Sequence, residues 1–275
     1  IEIAAGGFPH ELVARAAGLR WFQQWGAGAD WLLRHPEVAG KDFALTNVSG
    51  VHAIPISEHI IGMLLMFARG LHHAVRAQAQ REWRRIKSEE VFELAGKTML
   101  LLGVGAIGER TAALASALGM RVEGIRRDPS REVAEVAAMY GPDQLRERLA
   151  HADFVVLTVP LSHATQGLIG AAELRAMRPS AYLINIGRGG TIDEPALVQA
   201  LAKRRIAGAA LDVFAEEPLP AASPLWAMEN VIITAHYAGA TPKYNQRAMA
   251  IFLDNLRRYR DGAPLRNLVD KQAGY

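Results

Sequence analysis

The 275-residue chain contains no cysteine. Disulfides, a thiolate nucleophile, thiolate-bound zinc and cysteine-ligated iron–sulfur clusters are therefore excluded. Long hydrophobic runs are missing as well: the longest apolar stretches, 60–68 and 99–108, stop well short of the ~20 residues a membrane helix needs. No secretory signal pattern opens the sequence. Charge of one sign is scarce, with 31 Lys and Arg against 28 Asp and Glu and a formal net charge of +3, which leaves no nucleic-acid footprint. A soluble, cytoplasmic protein is expected, with neither a membrane nor a nucleic acid as partner. An initiator Met is also lacking: the chain begins Ile1-Glu2-Ile3, directly in strand-like sequence, so its N-terminus is expected to be either trimmed or left out. What remains is globular composition, 50% hydrophobic and 21% charged, enough for one large domain or two modest ones.

Short apolar runs alternate with helical patterns. Near the start the pattern predicts strands over 1–5 and 19–23, with a helix near 9–17. A long helical pattern covers 57–80, where Ile60, Ile61, Leu64, Leu65, Phe67 and Leu71 recur at three-to-four spacing and Ser57 is placed as N-cap. From residue 97 the rhythm is strand–helix–strand. Strands are expected over 98–102, 121–125, 154–158, 182–186, 207–211 and 231–234, and helices over 106–118, 144–151, 171–177 and 194–202. Continuous apolar strands between helices imply an α/β fold, a doubly wound parallel sheet covered on both faces. The sheet-building part is expected over 56–241, and a smaller lobe from the two chain ends, 1–55 and 242–275.

The segment Gly103-Val104-Gly105-Ala106-Ile107-Gly108 fits G-x-G-x-x-G, entered by an apolar strand and left by a helix. In that setting the first glycine permits a tight turn and the second lets backbone approach a pyrophosphate. The third lets helix and strand pack closely, and the helix N-terminus offers free N–H groups to phosphate. The next strand ends at Gly124-Ile125-Arg126-Arg127-Asp128, where an NAD site would carry a carboxylate for the ribose 2′-hydroxyl. Arg126 takes that slot, with Arg127 beside it. A guanidinium pairs with a 2′-phosphate that a carboxylate would repel, so NADP(H) is favoured over NAD(H). The alternative is that both arginines form a solvated turn and Asp128 reads the ribose.

Three further polar residues follow later strands, where doubly wound sheets bind ligands. Arg188 follows Asn185-Ile186-Gly187, Glu217 lies past Leu211-Asp212, and His236 follows Val231-Ile232-Ile233-Thr234-Ala235. Taken singly, the arginine reads as a salt-bridge partner, the glutamate as a helix cap and the histidine as structural. Together they carry a resemblance to the D-isomer-specific 2-hydroxyacid dehydrogenases, in their glyoxylate/hydroxypyruvate reductase-like branch. The resemblance runs through Gly26-Ala27-Gly28-Ala29-Asp30, Thr46-Asn47, Ser57-Glu58-His59, the glycine turn, Thr158-Val159-Pro160-Leu161, Asn185-Ile186-Gly187-Arg188-Gly189-Gly190, Leu211-Asp212-Val213-Phe214, Glu217-Pro218-Leu219 and Ala235-His236-Tyr237-Ala238-Gly239.

The resemblance implies a Rossmann cofactor domain and a flavodoxin-like substrate lobe whose first strand–helix unit is absent here. It makes Arg188 the catalytic arginine, His236 the acid/base and Glu217 the carboxylate behind it. Backbone N–H groups of Ala27 and Gly28 would hold the substrate carboxylate together with Arg188 and His236. Asp212 would lie against the nicotinamide carboxamide and Val159-Pro160 near the adenosine half. Gly103, Gly105, Ala106, Ile107, Gly108, Arg126, Arg127, Ile186, Gly187, His236 and Ala238 complete the cofactor contacts. Chemistry agrees: reducing a 2-oxo acid takes a hydride, which side chains cannot supply, and a proton, which a histidinium can. Glu217 would favour that protonated form, and Arg188 offers a planar fork to carboxylate and carbonyl oxygen. The expected function is NADPH-dependent reduction of a small 2-oxo acid, glyoxylate or hydroxypyruvate, to the D-2-hydroxy acid. A dehydrogenase of a bulkier D-2-hydroxy acid and a dinucleotide-sensing protein of co-repressor type are the alternatives. Two departures from the family pattern, Ala235 where proline is common and Tyr237 after the histidine, leave the substrate's shape open.

No metal is expected. His72 and His73 are adjacent, and neighbours on a helix point about 100° apart. The basic stretch Arg81, Arg84, Arg85 and Lys87 around Trp83 reads as a solvated segment or a subunit contact, and the resemblance places it near the interface of a homodimer.

Overall fold

A computed structural model describes residues Ile1–Tyr275, which divide into two compact units. The smaller comprises Ile1–His52, Pro160–Gln166 and Ala240–Tyr275. Its sheet has three parallel strands side by side, β1 (Ile3–Gly6), β2 (Trp21–Gln24) and β3 (Ala44–Thr46). Every residue of β2 is buried, including two glutamines, which buried backbone neighbours tolerate only if their polar atoms are paired. The pairing is complete at Gln23: Thr46 Oγ1 donates to its Oε1 at 2.9 Å and Asn255 Nδ2 at 3.1 Å. Trp21 Nε1 in turn donates to Thr46 Oγ1 at 2.8 Å. Asn255 belongs to the helix Tyr244–Arg260, so a satisfied polar network ties the chain's last helix to the middle strand of this sheet.

The larger unit comprises Ala53–Val159 and Gly167–Gly239. It contains β4 (Thr98–Leu102), β5 (Arg121–Ile125), β6 (Ala138–Tyr140), β7 (Phe154–Leu157), β8 (Tyr182–Asn185), β9 (Gly208–Leu211) and β10 (Val231–Ile233), all parallel. Their order across the sheet is β10-β9-β8-β7-β4-β5-β6. Period-two alternation supplies two cores. Leu100, Leu102, Val155, Leu157 and Leu183 face one, and Met99, Leu101, Phe154, Val156 and Ile184 face the other. Each such side chain contributes about 1.5–3 kcal/mol through burial, and with both faces apolar the strands read as continuous hydrophobic runs. The chain leaves β4 toward β5 and β6, then crosses back to β7 on β4's other side. The order therefore reverses between β4 and β7, and the carboxyl ends of those two strands form the crevice in which a doubly wound sheet binds its ligand.

Several local expectations shift. The predicted 57–80 helix is two helices, Ala53–Ala68 and Leu71–Ala79, bent by 77°. The break falls at Gly70, whose φ of +64° suits glycine, and a Cβ there would meet Ile86 Cδ1 at 2.9 Å. Ser57 is not an N-cap: it lies inside the first helix, its hydroxyl donating to the Ile54 carbonyl at 2.9 Å. The helix near 9–17 is reduced to His10–Val13, continuing as turns closed by Arg15 N–H to Leu12 and Leu19 N–H to Ala16. The edge strand β6, only three half-buried residues, carries too short an apolar run to be legible. No single helix is long and apolar enough to cross a membrane.

Candidate active site

The glycine turn follows β4 at the switch point. Gly103 has a φ of +91°, and a Cβ on it would meet Val159 Cγ1 at 2.9 Å, so β4 and β7 converge there. A Cβ on Gly108 would lie 2.6 Å from the Gly103 carbonyl oxygen, which is the close helix–strand approach expected of the third glycine. Over Gly105 the space is open, with nothing within 4 Å of a Cβ position. Gly105 also precedes the helix Ala106–Ala117, whose N-terminus has no side-chain cap. Free N–H groups beneath an open glycine suit a pyrophosphate. Val159 is half-buried beside this turn, and Gly187 approaches the same place, its Cβ position 2.6 Å from the Val159 carbonyl oxygen. The ends of β4, β7 and β8 thus bring Gly103, Gly105, Ala106, Ile107, Gly108, Val159, Ile186 and Gly187 together.

Arg126 follows β5, its N–H donating to the Tyr140 carbonyl at 3.1 Å. Its Nη1 is buried and has no hydrogen-bond partner, an arrangement that ordinarily costs about 1–3 kcal/mol and is relieved by an anion at that position. Asp128 is engaged elsewhere, accepting from the Ser130 hydroxyl at 2.6 Å and the Ser130 N–H at 3.0 Å. Those two bonds hold its carboxyl below the usual carboxylate range, Arg126 adding a smaller pull. Arg127 is exposed.

The second half of the site is built on β8, β9 and β10. His236 Nδ1 lies 2.6 Å from Glu217 Oε2, and the other Glu217 oxygen accepts from the Phe214 N–H at 3.0 Å. Both side chains keep access to solvent, 49% for the histidine and 35% for the glutamate, so Nε2 is available to a reactant. His236 sits at a φ of +52°, which a non-glycine residue holds only when its surroundings insist, at a cost of about 1–3 kcal/mol. Asp212 supplies the insistence. Nearly fully buried, its Oδ1 accepts from Thr234 Oγ1 at 2.6 Å and Tyr237 N–H at 3.1 Å, and its Oδ2 from Ala238 N–H at 3.0 Å. Its backbone carbonyl accepts from His236 N–H at 2.8 Å. Asp212 therefore pins the whole turn that presents His236, a role its place after an apolar strand does not disclose.

Arg188 follows β8 and donates to the Gly187 carbonyl at 2.8 Å. Its own carbonyl accepts from Thr191 Oγ1 at 2.6 Å and Asn185 Nδ2 at 3.0 Å. The next residue, Gly189, packs against the Phe214 backbone so closely that a Cβ would lie 1.9 Å from the Phe214 carbonyl carbon. Phe214 also binds Glu217, so one glycine contact couples the arginine loop to the glutamate–histidine pair. Asn185, Thr191 and Thr234 carry no role in the sequence pattern; the available signal was a hydroxyl or amide at or soon after a strand end.

Ala27 and Gly28 belong to the smaller unit. Carbonyls of their turn are tied inward: Asn47 Nδ2 donates to Ala27 at 2.8 Å, and Gln24 Nε2 to Gly28 at 2.7 Å. Pro160 also falls in this unit, its carbonyl accepting from Thr165 Oγ1 at 2.6 Å. No cluster of three or more His, Asp or Glu side chains is arranged to hold a metal ion.

A doubly wound sheet with a glycine turn at its switch point, and a carboxylate-held histidine two strands from an arginine, defines the class: an NAD(P)-dependent oxidoreductase. Comparisons narrow it. Residues 61–238 match the D-isomer specific 2-hydroxyacid dehydrogenase, NAD binding domain. The chain is 35% identical over 270 residues to a glyoxylate reductase of Aeropyrum pernix, covering 95% of this chain and 79% of that protein. It is 33% identical over 260 residues to a D-3-phosphoglycerate dehydrogenase of Methanocaldococcus jannaschii, covering 94% of this chain but only 49% of that relative's length. The crystal structure of an NADPH-dependent glyoxylate/hydroxypyruvate reductase from Sinorhizobium meliloti, in complex with NADP and sulfate, superposes with a TM-score of 0.88 at 30% identity, covering 100% of this chain and 86% of that one. The chain belongs to the D-isomer specific 2-hydroxyacid dehydrogenase family.

Proposed function

We propose that the protein reduces a small 2-oxo acid, glyoxylate or hydroxypyruvate, to the D-2-hydroxy acid with NADPH. The observation that carries this reading is the 2.6 Å contact between His236 and Glu217, presented at a strand end of the sheet that carries the glycine turn. A dinucleotide bound along that turn supplies the hydride. The protein's own residues do the rest. Arg188 pairs its planar fork with the substrate's carboxylate and carbonyl oxygen. His236 gives the proton on Nε2 to that oxygen as negative charge develops on it. Glu217 accepts from Nδ1–H, so the ring is oriented with Nε2 outward, and its negative charge offsets the imidazolium's.

Cofactor choice rests on Arg126. Its buried, unpartnered Nη1 fits a 2′-phosphate, and Asp128 is occupied by Ser130. The Sinorhizobium meliloti structure, an NADPH-dependent reductase in complex with NADP, supports the same choice. Asp212, Val159, Ile186, Gly187 and Ala238 complete the dinucleotide site, one acceptor position on Asp212 Oδ2 remaining for the carboxamide. The protein is further read as a cytoplasmic homodimer, for which the 90% exposed Trp83 within its basic stretch is the supporting feature; a monomer mass in light scattering would remove the dimer.

The test is a turnover assay with NADPH across a panel of 2-oxo acids from glyoxylate upward. Fastest kcat/KM is expected for the smallest members. Tight NADPH binding with no oxidation across the panel would replace the reductase by a dinucleotide sensor.

A further inference from the structure

His59 projects half-buried from the helix Ala53–Ala68, and the mechanism above makes no use of it. Its Nε2 lies 3.1 Å from Thr234 Oγ1. That hydroxyl donates its one proton to Asp212 Oδ1 at 2.6 Å, so toward His59 it can only accept. The hydrogen between the two must therefore sit on His59 Nε2. Burial pushes the imidazole below its ordinary pKa, the Asp212 charge pulling the other way, and the neutral ring is then the Nε2–H tautomer. A second contact is made by the ring itself, which meets Tyr237 edge-to-face with centroids 5.6 Å apart and planes at 88°. Thr234 and Tyr237 stand on either side of Ala235-His236. One side chain from the helix thus grips both shoulders of the turn whose left-handed residue is His236.

We propose that His59 is a positioning residue, holding the His236 turn in place by donating from Nε2 to Thr234 and by packing against Tyr237. The kinetic arm of its test rests on the reading of His236 as proton donor, and the spectroscopic arm does not.

In protein labelled with 15N-histidine, long-range proton–nitrogen NMR reads the tautomer directly. Nε2–H is expected for neutral His59, and Nδ1–H overturns the proposal. In His59→Leu the Nδ1 resonance of His236 is expected to move, and an unmoved resonance overturns it. Kinetically, His59→Leu is expected to lower kcat about three- to tenfold while KM for NADPH stays within about twofold, the scale of one lost hydrogen bond in a network. His59→Gln places an amide N–H near the Nε2 position and is expected to recover kcat to within about twofold of wild type, whereas the shorter His59→Asn is not. A Gln variant as impaired as Leu, or a Leu variant with full kcat, overturns the proposal. Absence of turnover in the wild-type protein would instead remove the proposed function, leaving the NMR outcomes to decide the role of His59.

Discussion

Asp212→Asn is close to isosteric, yet it removes what holds the His236 turn. The carboxylate accepts three donors, two on Oδ1 and one on Oδ2. An asparagine amide has one oxygen and one NH2 group. With its oxygen toward Thr234 and Tyr237, the NH2 faces the Ala238 N–H, donor against donor; turned round, it faces the Tyr237 N–H, again donor against donor, while the Thr234 hydroxyl can turn to accept. Either way one backbone N–H is left unpaired and the remaining bonds lose their charge assistance. A hydrogen bond to a charged group contributes about 1.5–3 kcal/mol. At about 2–4 °C per kcal/mol for a unit of this size, the midpoint of thermal unfolding is expected to fall by about 3–12 °C. Because His236 is held at a φ of +52°, the loosened turn relaxes away from it and the 2.6 Å contact with Glu217 is lost in much of the population. A fall in kcat of about tenfold or more is expected, each 1.4 kcal/mol of misplacement being a factor of about ten. Differential scanning calorimetry and steady-state NADPH oxidation read the two effects together. A variant melting within about 1 °C of wild type that merely binds NADPH less well would show that Asp212 touches the cofactor without holding the turn, and would refute the reasoning.

Two further substitutions test the remaining contacts. Arg126→Asp places a carboxylate where the 2′-phosphate is proposed to lie, and is expected to shift preference from NADPH toward NADH; a variant that keeps its NADPH preference in kcat/KM removes Arg126 from cofactor selection. Gly189→Ala sets a methyl group 1.9 Å from the Phe214 carbonyl carbon, so one loop must move. Overpacking of this kind costs about 1–3 kcal/mol or more, and a wild-type melting temperature with unchanged kcat would show that the arginine loop is not locked to the Glu217 loop.

The large sheet was legible because its strands are buried on both faces, so each appears as an unbroken apolar run, and because the glycine turn imposes backbone geometry that few residues can satisfy. Arg188 and His236 stand out as polar residues soon after such runs, whereas Glu217 lies further along its loop, and it was the family resemblance that joined the three. What escaped reading depends on distance in sequence or on the shape of a neighbour. The bend falls at Gly70, where the backbone turns to a φ of +64°, and the hydrophobic period runs on through it. Ser57 looked like a cap because helix-start chemistry and a hydroxyl bonded back within a helix use the same residue type. The three donors on Asp212 come from residues 22, 25 and 26 positions away, and His59 meets Thr234 across 175. No local pattern encodes either contact.

The central claim is that this site transfers a hydride and a proton to a 2-oxo acid, with His236 giving the proton. The most direct measurement follows hydroxypyruvate reduction by the wild-type protein and by His236→Ala, recording NADPH consumed and the enantiomer of glycerate formed. One D-glycerate per NADPH is expected in the wild type, and turnover lower by about 10²–10⁴-fold in the variant with NADPH binding retained. An L product, or a variant that turns over at the wild-type rate, would contradict it.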